Sequence, residues 1–555
     1  MLLLEASHLE KSFGDRLLFR LDHLEVHSHD RIGIVGRNGA GKTTLLHILA
    51  GEESADAGHV HQYGSHALIR QIGLQGMEHA VGKRKKEWGL QHIHTTDTYM
   101  SGGEAVRLKI AHALEQGAQL LFADEPTSHL DMEGIEQLEK TLTNVDGAIL
   151  LISHDRSLLD AICTQILEVE DGVVTLYPGN YSHYVLQKDQ QRARAKFEYE
   201  SYRKEVKRLT QVIHDKQQQT KGMLKKPRQM SHSEARLISN KNGAERRMAN
   251  VAKSAKSMET RLSKLEKKEK PRELPRVQFD ANSSQEIHAK AVIQLDRVTC
   301  KVGDRTLFQN LSCSIKPGMK LALVGKNGAG KSSLLNMIVR GTEGITVAQS
   351  CKIGYFTQTL ALLDEEKTIV ENVLVTSPQS ETVVRTALAR LLFRRDEVQK
   401  KVEMLSGGEK GKAALAKVFL SDANVLLLDE PTNYLDIPTQ EELEQLLAEY
   451  PGTIVFATHD RSFINRVATH VLVFEGAVPV FFEGNYQQYV EWKERRKQTN
   501  VPVEEELLLL QTRLSEILGR LSIPIKDPAV KQELEEQFRE LTNRIRELKS
   551  KLSSF

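Results

Sequence analysis

Long apolar segments are missing from this sequence. No window reaches about 18 uncharged apolar residues, the length that a helix needs to cross a bilayer. The first residues, MLLLEASHLEKSFG, have too short an apolar run for a signal peptide and no small-residue cleavage site. Cysteine is scarce too: the chain has four, none in a CxxC or other metal-type spacing. We therefore expect a cytoplasmic protein with reduced thiols, without a disulfide framework or a zinc finger.

A large excess of charge is also missing from the chain as a whole, whose formal net charge is +2. This balance hides a local block. Residues 191–270 hold 23 Lys and Arg against nine Asp and Glu, a net charge of +14, so the rest of the chain sums to −12. A basic block of this size favours a polyanionic partner, and a solvated helix face is the alternative.

One set of motifs occurs twice in the sequence. The first set is GRNGAGKTT, SGGE, FADEP and SHD, and the second is GKNGAGKSS, SGGE, LLDEP and THD, in the same order. The second set follows the first by 289 residues at the glycine-rich loop and by 305 residues at each of the other three motifs. These regular offsets indicate an internal duplication.

The glycine-rich loop of each copy follows an apolar strand (RIGIVG, LALVG) and precedes a helix (TTLLHILA, SSLLNMIV). This context predicts a loop whose backbone N–H groups wrap the phosphates of ATP. Lys42 and Lys331 would reach the β- and γ-phosphates, and the hydroxyls of Thr43 and Ser332 would ligate Mg²⁺. The predicted nucleotide-binding residues of the loops are Gly36, Asn38, Gly39, Gly41, Lys42, Thr43 and Thr44 in the first copy and Gly325, Asn327, Gly328, Gly330, Lys331, Ser332 and Ser333 in the second.

An acidic pair ends a buried apolar run in each copy (QLLFADE, NVLLLDE). Asp124 and Asp429 stand at the strand end, where a carboxylate can hold Mg²⁺ through water. Glu125 and Glu430 follow directly. They are placed to polarise the water that attacks ATP, because phosphoryl transfer needs positioning and charge neutralisation more than covalent chemistry. An acidic pair that merely ends a strand is the alternative.

The SGGE motif opens a predicted helix in each copy. A serine followed by bare backbone at a helix N-terminus is a second anion-binding element. We expect it to complete the glycine-rich loop of the opposite cassette rather than its own. The residues concerned are Ser101, Gly102 and Gly103, and Ser406, Gly407 and Gly408.

The fold class predicted from these patterns is α/β, with two tandem nucleotide-binding domains at 1–187 and 291–497. The linker between them, 188–290, is predicted to be an antiparallel two-helix coiled coil with a tip loop at about 222–243. A further helical hairpin is predicted at 498–555. The apolar seams of the linker consist of Tyr199, Tyr202, Val206, Leu209 and Ile213, and of Met248, Val251, Ala255, Met258, Leu262 and Leu265.

The paired motifs resemble the ATP-binding cassette (ABC) superfamily, in which two cassettes sandwich two ATP molecules head to tail. The resemblance implies Mg²⁺ and two ATP sites. It also places Phe13 where an aromatic ring stacks on adenine; the second copy has Val302 there, so we expect weaker stacking in that site. The further site residues that it implies are the Mg²⁺-ligating switch glutamines Gln71 and Gln358, the γ-phosphate histidines His154 and His459, and the D-loop aspartates Asp131 and Asp436.

The whole chain resembles the ABC-F family in its tandem cassettes, its EPTSHLD and EPTNYLD segments, its basic linker and the PGNYSHY and EGNYQQY segments that follow the cassettes. The resemblance implies an ATP hydrolase and a monomer whose cassettes pair within one chain. It also implies binding to the ribosome from the exit-site side, at large-subunit rRNA and peptidyl tRNA, with no membrane partner.

Within that family, the short stretch between Gln71 and Ser101, the long linker and the C-terminal hairpin are most similar to the antibiotic-resistance members. These protect the peptidyl-transferase centre from lincosamides, pleuromutilins and streptogramin A, and the linker tip displaces the drug. A housekeeping ABC-F factor that relieves stalled ribosomes is the alternative. An ATPase coupled to a transporter, a DNA-repair ATPase and a recycling factor fit the sequence less well.

Overall fold

The computed structural model describes residues 1–14, 16–70, 102–128, 130–224, 241–270, 289–357, 362–393, 397–433, 435–495, 510, 513–514, 517 and 528–554. Several predicted features lie outside these residues. They are the switch glutamines Gln71 and Gln358, the signature serine Ser101, the short stretch between Gln71 and Ser101, and residues 225–240 of the predicted tip loop.

The first cassette is built on one nine-stranded sheet in the order β4-β1-β2-β9-β8-β3-β7-β6-β5. The strands are β1 (Leu2–Phe13), β2 (Arg16–His27), β3 (Arg31–Gly36), β4 (Ala57–Gln62), β5 (His66–Ile69), β6 (Leu120–Asp124), β7 (Ala148–Ile152), β8 (Gln165–Glu170) and β9 (Val173–Pro178). Its described helices are α1 (Lys42–Leu49), α2 (Gly102–Glu115), α3 (Met132–Thr143) and α4 (Arg156–Ile162). Strands β8, β3, β7, β6 and β5 run parallel to one another.

The linker contains two long helices, α5 (Tyr181–Leu224) and α6 (Lys241–Lys264). With 44 residues, α5 is about 66 Å long. The predicted seams face inward: Leu209, Ile213 and Ala255 are buried, and the other seam residues are half-buried. Arg261 on the second helix forms an ion pair with Glu205 on the first, at 3.3 Å. The helix begins at Tyr181, so the predicted domain boundary at 188 falls inside a continuous helix.

The second cassette repeats the first, with its sheet divided in two: β11-β10-β13, and β14-β15-β16-β12-β17-β18. The strands are β10 (Ile293–Val302), β11 (Arg305–Ile315), β12 (Lys320–Gly325), β13 (Ile345–Val347), β14 (Ile353–Phe356), β15 (Val425–Asp429), β16 (Thr453–Ala457), β17 (His470–Phe474) and β18 (Val480–Glu483). The described helices are α7 (Lys331–Arg340), α8 (Ile369–Leu374), α9 (Glu381–Arg390), α10 (Gly407–Phe419), α11 (Ile437–Glu449) and α12 (Arg461–Val467), with short 3₁₀ turns at Glu397–Gln399 and Val402–Met404.

The parallel strands at the centre of each cassette are completely buried. All five residues of β6, β7, β15 and β16 are buried, as their continuous apolar sequences predict. Burying each leucine or isoleucine contributes about 1.5–3 kcal/mol. Because parallel strands end at the same edge of a sheet, this packing brings the ends of β3, β6 and β7 together, and likewise those of β12, β15 and β16.

The C-terminal region ends in helix α13 (Pro528–Ser554). Ile545 on this helix and Ile517 before it are buried, although most of the first half of the predicted hairpin lies outside the described residues. None of the helices in the described part of the chain combines the length and apolar content needed to cross a bilayer. All four cysteines are free thiols, and Cys163 and Cys300 are buried.

Candidate active site between the two cassettes

The glycine-rich loops turn sharply between the central strand and the following helix. Gly41 and Gly330 occupy the position before α1 and α7, with φ of 98° and 100°, a conformation that favours glycine. A Cβ atom at Gly330 would lie 2.9 Å from the ring of Phe308, so the loop also needs the missing side chain for space. Lys42 and Lys331 donate from Nζ to the carbonyls of Gly36 and Gly325, at 2.9 and 2.7 Å, and so lie along the loops.

The hydroxyl next to each loop lysine meets the strand-ending aspartate. Thr43 Oγ1 donates to Asp124 Oδ1 at 3.4 Å, and Ser332 Oγ donates to Asp429 Oδ1 at 2.9 Å. Burial raises the pKa of both carboxyl groups. A hydroxyl and a carboxylate side by side at a helix N-terminus form an oxygen donor set that suits Mg²⁺, which prefers oxygen ligands and keeps several waters. The predicted Mg²⁺ residues that the structure describes therefore fit the ion.

A glutamate and a histidine face each other at both sheet edges. Glu125 Oε1 lies 3.2 Å from His154 Nε2, and Glu430 Oε1 lies 3.4 Å from His459 Nε2. Both glutamates have φ of 49°, a left-handed conformation that is uncommon outside glycine and that turns the chain immediately after the strand. The strain is the same in the two copies, which indicates that the site requires this geometry.

Burial shifts the pKa of both histidines and of Glu430. Desolvation lowers the pKa of His154, and desolvation together with the charge of Lys331 lowers the pKa of His459 to about 3. Both imidazoles are therefore neutral near pH 7, and each can donate one N–H to a phosphate oxygen. Burial raises the pKa of Glu430, which moves it towards the range in which a carboxylate can take up a proton from water.

The two cassettes pack head to tail across these edges. The backbone N–H of Asn38 donates to Asp436 Oδ2 at 2.8 Å, and that of Asn327 donates to Asp131 Oδ2 at 3.2 Å. A cavity of about 1410 Å³ lies between the cassettes. Its lining joins parts of both copies: Asn38, Gly39, Gly103, Glu125, His154, Asn327, Gly328, Ser406, Gly408, Glu430 and His459.

The signature segment of the second cassette faces the first cassette's loop in this cavity. Ser406 is the N-cap of α10, where its hydroxyl and Glu409 form a reciprocal capping box. Gly407 and Gly408 follow without side chains, as Gly102 and Gly103 do at the start of α2. A smaller cavity of about 240 Å³ is lined by Asn38, Gly39, Gly41, Lys42, Thr43, Thr44, Asp124, Glu125 and His154, which are nearly all of the first copy's predicted phosphate and Mg²⁺ residues.

The predicted adenine positions lie at strand ends on the surface. Phe13 ends β1 with 81% of its surface exposed, which leaves its ring accessible to a base, and Val302 ends β10 with 61% exposed. The second copy thus has no aromatic ring at the matching place. In the second loop, Ser333 follows Ser332 in the first turn of α7, as Thr44 follows Thr43 in α1.

The interface also contains basic residues that sequence reasoning missed. Lys412 Nζ lies 3.7 Å from Asp436 Oδ2, and Arg107 lies 3.5 Å from Asp131 Oδ1. Arg107 lies on α2 and Lys412 on α10, the helices that begin at the two SGGE motifs, and their positions differ by the same 305 residues as the motifs. This repeated position was a signal in the sequence. Arg37, in the first glycine-rich loop, donates across the interface to the carbonyl of Leu392 at 2.7 Å.

This chain is similar in sequence to known proteins with ATP-binding cassettes. A family model described as ABC transporter matches residues 20–87 and 308–433, and a second model with this description matches 167–279. The chain is 32% identical over 547 residues to ribosome protection protein VmlR of Bacillus subtilis (strain 168), covering 96% of each chain. It is 33% identical over 469 residues to erythromycin resistance ATP-binding protein MsrA of Staphylococcus epidermidis, covering 83% of this chain and 95% of that one.

A solved structure shares the fold at lower sequence similarity. The RNase-L Inhibitor structure superposes with a TM-score of 0.59 and 20% identity, covering 87% of this chain and 91% of the other. The predicted fold class is confirmed by this likeness together with the family match.

Proposed function

The chain belongs to the ABC-F family, as an ATP-hydrolysing member of the Vml/Msr type, and from this we propose that it protects the ribosome from antibiotics. The protected site is the peptidyl-transferase centre of the large subunit, and the drugs are lincosamides, pleuromutilins and streptogramin A. ATP-dependent closure of the cassettes holds the protein beside peptidyl tRNA, on the exit-site side, while the linker tip displaces the drug.

The observation that carries this proposal is the linker. Helix α5 is about 66 Å long and leads away from the cassette pair after its first turns, far enough to act at a distance from the ATP sites. The segment 191–270 has a net charge of +14, and many of its lysines and arginines are exposed. Such a surface suits the phosphates of rRNA and tRNA, which bind basic side chains with little sequence preference. The names of the two relatives, a ribosome protection protein and an erythromycin resistance protein, support the same function.

Binding and hydrolysis of ATP at the cassette interface drive the closure and opening of the two cassettes. ATP bound at both composite sites completes the contact between the loop of one cassette and the signature segment of the other. Thr43 with Asp124, and Ser332 with Asp429, would hold Mg²⁺, which would supply neutralisation of the phosphate charge. Glu125 and Glu430 orient and deprotonate the attacking water, and the neutral histidines donate to the γ-phosphate. Hydrolysis then removes the contact and allows the cassettes to separate.

Drug-susceptibility testing of a sensitive bacterial host that expresses the chain tests this proposal. We expect the protein to raise the inhibitory concentrations of at least one of the three drug classes, and the hydrolysis-deficient E125Q/E430Q variant to give no protection. Unchanged susceptibility to all three classes, with the protein still sedimenting with ribosomes, would instead identify a translation factor without a role in resistance.

A second variant separates the tip from the rest of the protein. Replacing residues 225–240 with a short Gly/Ser turn leaves the cassettes and the helix pair intact. We expect ATPase activity and ribosome co-sedimentation to remain and protection to disappear. If the shortened protein still protected against every drug that the full-length chain resists, the tip would not be the part that displaces drug.

A further inference from the structure

Helix α11 of the second cassette contacts the first cassette at three positions along its length. Its N-cap, Asp436, accepts the backbone N–H of Asn38 in the glycine-rich loop, at 2.8 Å. Ile437, the next residue, is buried in the apolar core of the first cassette. Glu441 and Glu444 follow on the same helix, about 7.5 and 12 Å from Asp436 along its axis. The helix therefore extends from the ATP site to a second region of the interface.

That second region is a buried cluster of charges. Arg156, the first residue of α4, donates to Glu444 through both terminal nitrogens, one at 3.3 Å and one shorter, and Glu444 is fully buried. Arg466 adds a second ion pair to Glu444, at 3.1 Å. Asp460 lies 3.9 Å from the guanidinium of Arg156, and Glu441 lies 3.9 Å from it on the other side. Breaking a buried pair of this kind is costly, so the contact holds α11 firmly against the first cassette.

The linker helix begins at this cluster. Tyr181, the first residue of α5, is buried, and its hydroxyl donates to Glu441 at 3.4 Å. Burial, reinforced by the neighbouring Glu441, raises the pKa of Tyr181, so the phenol keeps its proton. The next residue, Ser182, donates its backbone N–H to Asp160 at 2.7 Å. The base of α5 is thus in contact with both cassettes.

Further along its first turns, α5 is bonded to strand β8 of the first cassette. Tyr184 donates to Glu168 at 2.6 Å, and Lys188 forms ion pairs with Glu168 and Glu170 at 2.9 and 2.6 Å. These bonds form a pivot on β8. The contact of Tyr181 with the second cassette lies at the end of the helix next to this pivot. A small displacement of α11 at Tyr181 is therefore magnified along a helix about 66 Å long.

We propose that Tyr181 and Glu441 couple the position of the second cassette to the direction of the linker helix. The inference rests on the proposed function insofar as ATP drives the closure of the cassettes. When ATP brings Asp436 onto the opposite glycine-rich loop, α11 moves as one rigid element, and its Glu441 sets the angle of α5 through Tyr181. Neither residue contacts those residues of the predicted ATP sites that the structure describes, so both act as positioning residues.

The duplication provides a matched control. At an offset of 305 residues, Tyr486 corresponds to Tyr181, Arg461 to Arg156 and Glu136 to Glu441. Arg461 forms an ion pair with Glu136 at 2.7 Å, and Tyr486 is half-buried near both. The segment that Tyr486 begins leads to the C-terminal extension and not to the linker. A change at Tyr486 perturbs an equivalent interface without touching the base of α5.

Distances between spin labels, measured by double electron–electron resonance on the full chain, test the coupling. The pair S54C/S201C reports the angle of α5 relative to the first cassette, and the pair S54C/T382C reports closure of the two cassettes; all three positions are exposed. The half-buried thiols Cys313 and Cys351 are replaced by serine beforehand. Each pair is measured without nucleotide and with a non-hydrolysable ATP analogue.

In the wild-type background the analogue should shift both distances. Y181A and E441A should keep the closure shift and lose about half or more of the linker shift, while Y486A and E136A should keep both. Y181F retains the buried ring and removes only the hydroxyl, so it should give a smaller loss without a folding defect. ATPase rates in Y181F and E441A should stay within about twofold of wild type.

Two results would overturn the inference. One is a full linker shift in Y181A and E441A, and the other is an equal loss in Y486A. The proposed function fails through a different measurement, since drug susceptibility is not read in these experiments. A chain that confers no resistance but shows the Tyr181 effect would retain the coupling and lose the drug role.

Discussion

Replacing Asp436 with asparagine tests the geometry of the cassette interface most directly. Asp436 is buried, and its two oxygens serve different partners: Oδ1 accepts the backbone N–H of Thr439 at 3.0 Å and caps α11, and Oδ2 accepts that of Asn38 at 2.8 Å. Burial favours a raised pKa for this carboxyl group, but Lys412 and the hydrogen bonds outweigh it and lower the pKa. The side chain is therefore an anion that joins the two cassettes.

An asparagine can offer its single carbonyl oxygen to Thr439 or to Asn38, but not to both. The helix cap is local and forms in either state, so the cross-cassette bond is the one that is lost. A hydrogen bond to a charged group contributes about 1.5–3 kcal/mol. Losing it from the closed state should raise the ATP concentration needed for half-closure by about 10- to 100-fold. Because Lys412 also loses its anionic partner, D436N should lie at the upper end of this range.

The assay is a titration of closure with ATP, followed by the distance between labels on the two cassettes in the hydrolysis-deficient background. D131N is the matched control: its bond to Asn327 is longer, at 3.2 Å, and its partner Arg107 is less buried than Lys412. We expect D131N to have the smaller effect. Closure of D436N at wild-type ATP concentrations would show that this contact does not stabilise the closed state and would refute the reasoning.

Three other outcomes are expected. Removing both water-activating carboxylates in E125Q/E430Q should lower phosphate release by about 10²- to 10⁴-fold and trap the protein on ribosomes in sedimentation; wild-type turnover would contradict the assignment. Because burial and the adjacent loop lysine lower the pKa of His459 to about 3, this side chain takes up a proton below about pH 6.5 in the unfolded chain but not in the folded one. The wild type should therefore lose more thermal stability than H459N between pH 7 and pH 5, and equal losses in the two proteins would exclude the effect. Reversing the exposed linker residues Lys264 and Lys267 to Glu should weaken ribosome association and reduce its salt dependence, and an unchanged salt slope would show that they do not bind RNA.

The choice of linker residues depends on the tertiary structure. In the sequence, Lys268 belongs to the same basic stretch as Lys264 and Lys267. The structure places Lys268 against Glu198 of the other linker helix, at 3.7 Å, and against Glu266, at 3.1 Å. Reversing Lys268 would therefore disturb the helix pair as well as the charge. A single sequence cannot distinguish a lysine that stabilises the hairpin from one that is free to meet a phosphate.

The sequence by itself determined the parts of this protein whose chemistry is local. A phosphate-binding loop needs glycines, a lysine and a hydroxyl within nine consecutive residues, and a buried parallel strand needs an unbroken apolar run before its terminal acid. Both can be recognised without knowing what lies opposite, as at Lys42 and Asp124. The linker helices were predictable for the same reason, because a seam such as Leu209 and Ile213 is a repeat along one segment.

Only the tertiary structure decided how the copies engage. Arg156 and Glu444 are 288 residues apart, and nothing in the spacing of either indicates the other. The same holds for Tyr181 and Glu441, which meet across the interface. Contacts across an interface depend on the orientation of two folded units. That orientation is set by the summed packing of both surfaces rather than by any local pattern.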